Sequence, residues 1–139
     1  MAIVFGPTKW HPQDILIQTG TLGTSVAGGY LICRNGGTAW IVAPNTTEVS
    51  RNWYCRNDAV TTATNCTTVT GWFVPTCGQL LNPGYSCRTY WDSYSSAYYW
   101  SSTEFTSSIA FFVSFINGSG NDNDKSTTNC VRAMRCVAY

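Results

Sequence analysis

Short apolar runs separated by turn residues dominate residues 1–42. Residues 30–33 and 39–42 are two such runs, and the Asn35-Gly36 step between them is a strong hairpin signal. Upstream, residues 1–28 are rich in Gly and Thr and contain one apolar stretch at 15–17, which predicts a short strand in otherwise irregular chain. The pattern therefore predicts a β-hairpin over residues 30–42, preceded by an arm with little regular structure.

Two helices are predicted in the middle of the chain. Residues 48–60 carry apolar positions at the spacing of one amphipathic helix, and the threonine-rich residues 61–70 predict a loop. Thr76, with Gln79 three residues later, matches a capping box and predicts the start of a second, short helix. The Asn-Pro-Gly sequence at 82–84 predicts the end of that helix.

The last third of the chain predicts strands. Residues 111–116 alternate with a period of two, and a final strand is predicted over residues 130–138. Residues 117–124 are rich in oxygen-bearing side chains but lack the spaced carboxylates of a calcium loop, so a surface loop without metal is expected. The alternation places Phe111, Val113 and Phe115 in the core, and Phe112, Ser114 and Ile116 on the outer face.

Together these elements predict an α+β domain in which one or two short helices pack on short antiparallel strands joined by long loops. The 139 residues fit one domain, and 44% hydrophobic with 14% aromatic residues exclude a disordered chain. Charged residues make up 11% and the formal net charge is +1, so the chain lacks the clustered Lys and Arg that nucleic acids and anionic membranes require. We expect neither a nucleic-acid partner nor membrane insertion, since no apolar run approaches roughly 18 residues.

The sequence predicts neither catalysis nor a metal or other cofactor. Its one histidine, His11, precedes a proline in the irregular N-terminal region, and acidic residues are few. The seven cysteines contain no CxxC spacing, which argues against zinc. Their number predicts partial disulfide formation in an oxidising environment, with at least one thiol left free and the pairing open. Residues 1–7 lack a basic region, so a secretory signal is not expected.

Several motifs resemble one bacterial and phage domain family. Residues 99–104 read YWSSTE, 110–115 read AFFVSF and 131–135 read VRAMR, while 71–76 read GWFVPT. In this combination and spacing, residues 28–139 resemble the Lcl C-terminal, or collagen-like-adhesin, lectin domain family. The resemblance implies a C-type-lectin-like fold whose long loops form a display surface, without enzymatic activity. Residues 1–27 lie outside it and are expected to form an N-terminal attachment arm.

The resemblance also implies which residues form the scaffold. Arg132 is expected to bind backbone carbonyls or a carboxylate such as Glu104. The expected scaffold residues are Trp72, Pro75, Leu80, Trp100, Ser101, Ser102, Arg132 and Arg135.

The same framing is similar to that of the variable proteins of diversity-generating retroelements, whose lectin-like domains present a variable face between such motifs. An aromatic cluster over residues 90–99 adds rings of the kind that stack on sugars, with packing against loops or neighbouring subunits as the alternative. The expected ligand-binding face consists of Tyr94, Tyr98, Phe105, Thr106, Ile109, Phe112, Ser114, Ile116, Asn117, Asn121 and Asn123.

Members of the resembled family occur in surface adhesins and in phage tail or virion proteins. The expected function is therefore a non-enzymatic phage virion surface protein, on capsid or tail, that displays a lectin-like binding face. Its expected partners are other virion proteins, contacted through the N-terminal arm, and a host-surface glycan or protein; self-association is left open. The alternative is a receptor- or glycan-binding adhesin of a phage tail tip or of a bacterial surface.

Overall fold

A computed structural model of the chain describes residues 12–139. These residues contain both helices and strands, and the strands form two sheets, which confirms the predicted α+β class. The helices are α1 (Pro12–Thr19), α2 (Asp58–Thr67) and α3 (Cys77–Gln79). The strands are β1 (Ser25–Val26), β2 (Gly29–Asn35), β3 (Thr38–Val42), β4 (Val49–Arg51), β5 (Tyr98–Glu104), β6 (Ile109–Ser114), β7 (Gly120–Asp124), β8 (Asn129–Val131) and β9 (Met134–Ala138).

The first sheet has the order β1-β2-β3-β9 within the described residues, and all its strands are antiparallel. Strands β2 and β3 are the predicted hairpin, with Tyr30 opposite Val42. Gly36 and Gly37 form the turn, both with positive φ, which glycine adopts without steric cost. This hairpin is confirmed.

The second sheet has the order β4-β8-β5-β6-β7 within the described residues, with β8 parallel to β5. The single final strand predicted over residues 130–138 is wrong, because two strands lie there. Strand β8 pairs with β4 in this sheet, and β9 pairs with β3 in the other. Arg132 and Ala133 connect the two sheets. The predicted surface loop at 117–124 is in part the edge strand β7.

The single helix predicted over residues 48–60 is also wrong. Val49 lies in β4, opposite Val131, so pairing with a distant strand replaces the local helical pattern. A short 3₁₀ turn, Trp53–Cys55, follows, and the Asn52 side chain caps it by accepting from the Cys55 N–H at 3.2 Å. Helix α2 begins at Asp58, so only residues 58–60 of the predicted helix are helical, and it continues to Thr67 through residues predicted to be loop.

The capping box predicted at α3 is confirmed. The Gln79 N–H donates to Thr76 Oγ1 at 3.2 Å, and the Thr76 N–H donates to Gln79 Oε1 at 2.9 Å. The helical path breaks at Asn82 as predicted, because its φ of −147° and ψ of 115° are extended. A further helical turn follows, and the π-helical segment Leu80–Tyr85 spans both sides of this kink.

The N-terminal described residues pack against the first sheet. Ile17 of α1 and Val26 of β1 are buried in one apolar cluster with Leu31. Arg34 of β2 donates from Nε to the Ile17 carbonyl at 2.6 Å, and so holds the C-terminal end of α1. Residues 1–11 of the expected attachment arm, His11 included, lie outside the described residues.

Candidate ligand-binding pocket

A pocket of about 320 Å³ opens at one end of the second sheet. It lies where β5 begins, where the chain leaves β6, and where β8 begins. We call it the Asn129 pocket. Its lining residues are Ser50, Ala97, Tyr98, Ile116, Thr128, Asn129 and Cys130.

The Asn129 side chain is the buried polar group of this pocket. The residue is 7% exposed, and it is held in β8 opposite Arg51 of β4. Its Nδ2 is buried and donates no hydrogen bond within residues 12–139. An unpaired buried amide costs the folded state about 1–3 kcal/mol.

The rim of the Asn129 pocket is apolar. Tyr98 and Ile116 are 42% and 65% exposed. The Tyr98 ring is supported by the Phe112 ring at a centroid distance of 4.7 Å, and the Ile116 N–H donates to Ser114 Oγ at 3.3 Å. None of the seven lining residues carries a charge. The pocket therefore combines a supported ring and an aliphatic side chain with neutral hydrogen-bonding groups.

A buried polar network lies next to the pocket, beyond Cys130. The Tyr99 hydroxyl and Ser95 Oγ both donate to the Glu48 carboxylate, the latter at 2.7 Å. Burial and the hydrogen bond to Glu48 raise the pKa of Tyr99 well above its ordinary value. Burial, together with the Glu48 charge, raises the pKa of Cys130. At neutral pH Cys130 is therefore a protonated thiol with little nucleophilic character.

Arg132 connects this network to two loops, one at Ala43 and one at residues 92–93. Its Nη1 donates to the Ala43 carbonyl at 2.9 Å and to Asp92 Oδ1 at 3.0 Å, and its Nη2 donates to the Ser93 carbonyl at 2.6 Å. The prediction that Arg132 binds backbone carbonyls or a carboxylate is confirmed, but Glu104, named as an example of that carboxylate, is not its partner. Glu104 instead accepts from the buried Lys125 Nζ at 2.8 Å.

The structure divides the predicted ligand-binding face between the two ends of the β5–β6 hairpin. Tyr98 and Ile116 meet in the Asn129 pocket. Because Tyr98 and Glu104 are the two ends of β5, the opposite end of the hairpin lies roughly 20 Å away. Among the other predicted residues, Asn117 lies in the turn next to Ile116, and Tyr94 packs on Phe115. Asn121 pairs with Phe112 in the sheet. The remaining four lie at or towards the far end of the hairpin: Phe105, Thr106, Ile109 and Asn123.

Two residues expected on the outer face are buried. Phe112 is 8% exposed and packs with Trp53, Trp100 and other apolar residues, and Ser114 is also buried. The prediction assumed a sheet with one solvated face. In the structure both faces of β6 are covered, because Val113 packs in a second apolar cluster on the opposite side.

The expected scaffold residues lie mostly in the interior. The Trp100 indole N–H is shared between the Arg51 and Thr127 carbonyls, each at 3.1 Å, and Ser101 Oγ donates to the Phe111 carbonyl at 2.6 Å. Three of these residues are buried: Trp72, Pro75 and Leu80. The Ser102 N–H donates to the Pro75 carbonyl at 2.9 Å. Arg135 Nη1 donates to the Ala27 carbonyl at 2.7 Å.

Five lining residues of the pocket are absent from the predicted face, among them Asn129 and Ser50. They belong to β4, belong to or directly precede β8, or precede β5, and only the sheet order brings them together. The one local signal is Asn129 itself, two positions before Val131 in an alternating strand, where an inward residue is usually apolar.

No protein-family model matches the chain, and no curated protein matches it. Within residues 12–139, no group of three or more His, Cys, Asp or Glu side chains is arranged to hold a metal ion. No helix of the described residues has the length and apolar character needed to cross a membrane.

Proposed function

We propose that this chain is a non-enzymatic, lectin-like binding domain on the surface of a phage virion, on its capsid or its tail, and that the Asn129 pocket binds a neutral saccharide. The observation that carries the proposal is that Asn129, whose buried Nδ2 has no hydrogen-bond partner within residues 12–139, lines the same pocket as the partly exposed Tyr98. A polar amide and an aromatic ring in one concave pocket are the groups that orient and pack a small ligand.

The chemistry of the lining favours a saccharide over other ligands. A sugar ring has an apolar C–H face, which packs on an aromatic ring such as Tyr98, and hydroxyl or acetamido oxygens, which accept from Asn129. The absence of charge among the lining residues favours a neutral sugar over an acidic one. A volume of about 320 Å³ is at the lower end for small-molecule pockets and suits one or two sugar rings.

The ionisable groups next to the pocket support binding rather than turnover. Glu48 accepts hydrogen bonds from Tyr99 and Ser95 and pairs with Arg132, so both of its carboxylate oxygens are engaged in structural contacts. Burial keeps Cys130 protonated. A general base or an activated nucleophile needs a group free to exchange a proton with substrate, and these groups are engaged with one another.

The virion location rests on the motif resemblance at residues 71–76, 99–104 and 131–135, and on the shortage of charge in a surface made largely of hydroxyl and amide groups. In this proposal a C-type-lectin-like scaffold presents the pocket, and the N-terminal segment contacts neighbouring virion proteins. The second candidate is an adhesin of a phage tail tip or a bacterial surface. It would use the same pocket and differ in location.

A glycan array with variant proteins tests the pocket. Wild-type protein should bind neutral glycans, and Asn129→Ala and Tyr98→Ala should each lose at least about tenfold in affinity, as expected for one hydrogen bond or one stacked ring. Phe105→Ala is the matched control, because Phe105 is 59% exposed and lies at the opposite end of the hairpin. Binding that falls in Phe105→Ala but survives in both pocket variants would overturn the assignment, as would binding restricted to acidic glycans.

Quantitative mass spectrometry of purified particles tests the location. Copies near the number of the major capsid protein support a decoration role, and a few copies per particle support a tail-borne binder. Absence from particles, with recovery in the bacterial surface fraction, would overturn the virion proposal in favour of the cellular adhesin.

A further inference from the structure

Two cysteines that are far apart in the sequence meet in the apolar cluster between the sheets. Cys33 lies in β2, and Cys87 immediately precedes the 3₁₀ turn Arg88–Tyr90. Strand β2 packs directly against this turn. Both side chains are partly buried against the same cluster, which contains Ile32 and Trp91.

A β-bulge places Cys33 on the side of β2 that faces the cluster against which Cys87 packs. In a regular strand, Cys33 would share a face with Leu31, two positions earlier. The register of β2 against β3 shifts between these two residues. As a result Leu31 packs in the cluster near α1, whereas Cys33 joins the cluster of Ile32 on the other side. Cys87 occupies that same side.

The Cys87 thiol lies close enough to Cys33 to affect the ionisation of Cys33. Burial raises the pKa of Cys33, and the neighbouring Cys87 thiol raises it further through charge repulsion. Cys77 and Cys130 pack against the same cluster without such a neighbour: burial raises the pKa of Cys77, and the groups beside Cys130 are Glu48, Ser95 and Arg132. Cys33 and Cys87 are therefore the thiols that the fold brings together.

We propose that Cys33 and Cys87 form a disulfide when the protein enters an oxidising environment, and that this bond joins β2 to the chain segment before Trp91. The inference is independent of the proposed saccharide binding.

The oxidant is a small disulfide such as oxidised glutathione. One protein thiolate attacks it and releases one glutathione thiolate, which leaves a mixed disulfide. The second protein thiol then loses its proton and attacks the protein sulfur of that mixed disulfide. A second glutathione thiolate leaves, so two protein thiols are oxidised and one glutathione disulfide is reduced.

Peptide mapping of the full chain tests the pairing. The protein is equilibrated in a glutathione redox buffer, free thiols are blocked with N-ethylmaleimide, and the chain is cut without reduction by trypsin and chymotrypsin. Cleavage after Tyr85 and Arg88 isolates Cys87 in a tripeptide, and cleavage after Arg34 separates Cys33 from the following chain. We expect the Cys87 tripeptide linked to the Cys33 peptide, with the mass reduced by two hydrogen atoms.

Variants separate this pair from the other thiols. Cys77→Ser is the matched control and should retain the cross-link, whereas Cys87→Ser and, independently, Cys33→Ala should abolish it. Oxidation should raise the Tm of wild type and of Cys77→Ser by several degrees and leave Cys87→Ser unchanged. Linkage of Cys33 to any other cysteine, or full N-ethylmaleimide labelling of both thiols in denatured samples of the oxidised wild type, would overturn the proposal.

Discussion

Arg132 and Glu48 form a buried ion pair, with Arg132 Nε donating to Glu48 Oε1 at 3.3 Å. Their side chains are 1% and 16% exposed. Arg132 lies in the connection between β8 and β9, where the chain passes from one sheet to the other, and Glu48 directly precedes β4. The ion pair therefore attaches this connection to the start of β4. Since Glu48 also accepts from Tyr99, one carboxylate links the crossover to the second sheet.

Removal of Arg132 should destabilise the fold strongly. In Arg132→Met, the carboxylates of Glu48 and Asp92 remain largely buried without their cation, and the expected loss of unfolding free energy is about 3–5 kcal/mol. The control is Arg51→Met, because the Arg51–Asp58 pair at 2.9 Å is about half exposed and should contribute about 0–1 kcal/mol. Urea unfolding measures both, and equal losses in the two variants would contradict the assignment.

Tyr99 should make the stability depend on alkaline pH. Its pKa is raised in the folded protein by burial and by Glu48, while tyrosine in the unfolded chain ionises near pH 10. Below that pH the full stabilisation is present, and above it the unfolded chain loses its proton first, so stability falls as pH rises. Tyr99→Phe should be less stable than wild type at pH 8, and the gap should shrink by up to about 1.4 kcal/mol per unit above pH 10.

Urea unfolding between pH 8 and pH 11 measures this gap. The cysteines are common to both proteins, so their ionisation cancels in the comparison. Tyr54→Phe, at an exposed position, is the control. A wild-type-to-Tyr99→Phe gap that stays constant across the range would show that Tyr99 does not carry the effect.

Phe112 and Ile116 should differ strongly in their contributions to stability. Phe112→Ala removes a buried ring from the cluster around Trp100 and should cost about 3–5 kcal/mol. Ile116→Ala shortens an exposed side chain at the pocket rim and should change stability by no more than about 0.5 kcal/mol. Thermal and urea unfolding test both values. A large destabilisation by Ile116→Ala would place Ile116 in the core instead of at the rim.

Arg34 should control the docking of α1. Its Nη2 donates to the Gly20 carbonyl at 2.5 Å, and its Nε donates to Ile17, so both bonds hold carbonyls at or just beyond the end of the helix. In Arg34→Met, amide hydrogen exchange over residues 13–20 should accelerate about tenfold or more, since losing even one of these charged hydrogen bonds has an effect of that size. Arg34→Lys should restore part of the protection. Unchanged exchange in Arg34→Met would show that apolar packing of Ile17 suffices.

Features that depend on neighbouring residues could be predicted from the sequence. The Gly36-Gly37 turn follows from the freedom of glycine at positive φ, and the Thr76–Gln79 capping box follows from a three-residue spacing. The α+β class follows from the mixture of such signals. Each of these interactions closes within a few positions of the chain, so no distant partner had to be known.

Features that depend on distant partners could not be predicted in this way. Val49 has a helical apolar pattern around it but lies in a strand because Val131 pairs with it. Phe112 occupies an alternating position that predicts exposure, yet packing on both faces of β6 buries it. In both cases the energy gained by non-local pairing and burial exceeds the local preference, which is small per residue.

The sequence by itself determined the class of the domain, its hairpin turn, its helix cap and its low content of charged residues. The tertiary structure alone decided that Ser50, Tyr98 and Asn129 line one pocket and that Cys33 lies beside Cys87. The physical reason is that strand order and a β-bulge bring these residues together, and both arise from contacts between segments that are not neighbours in the chain.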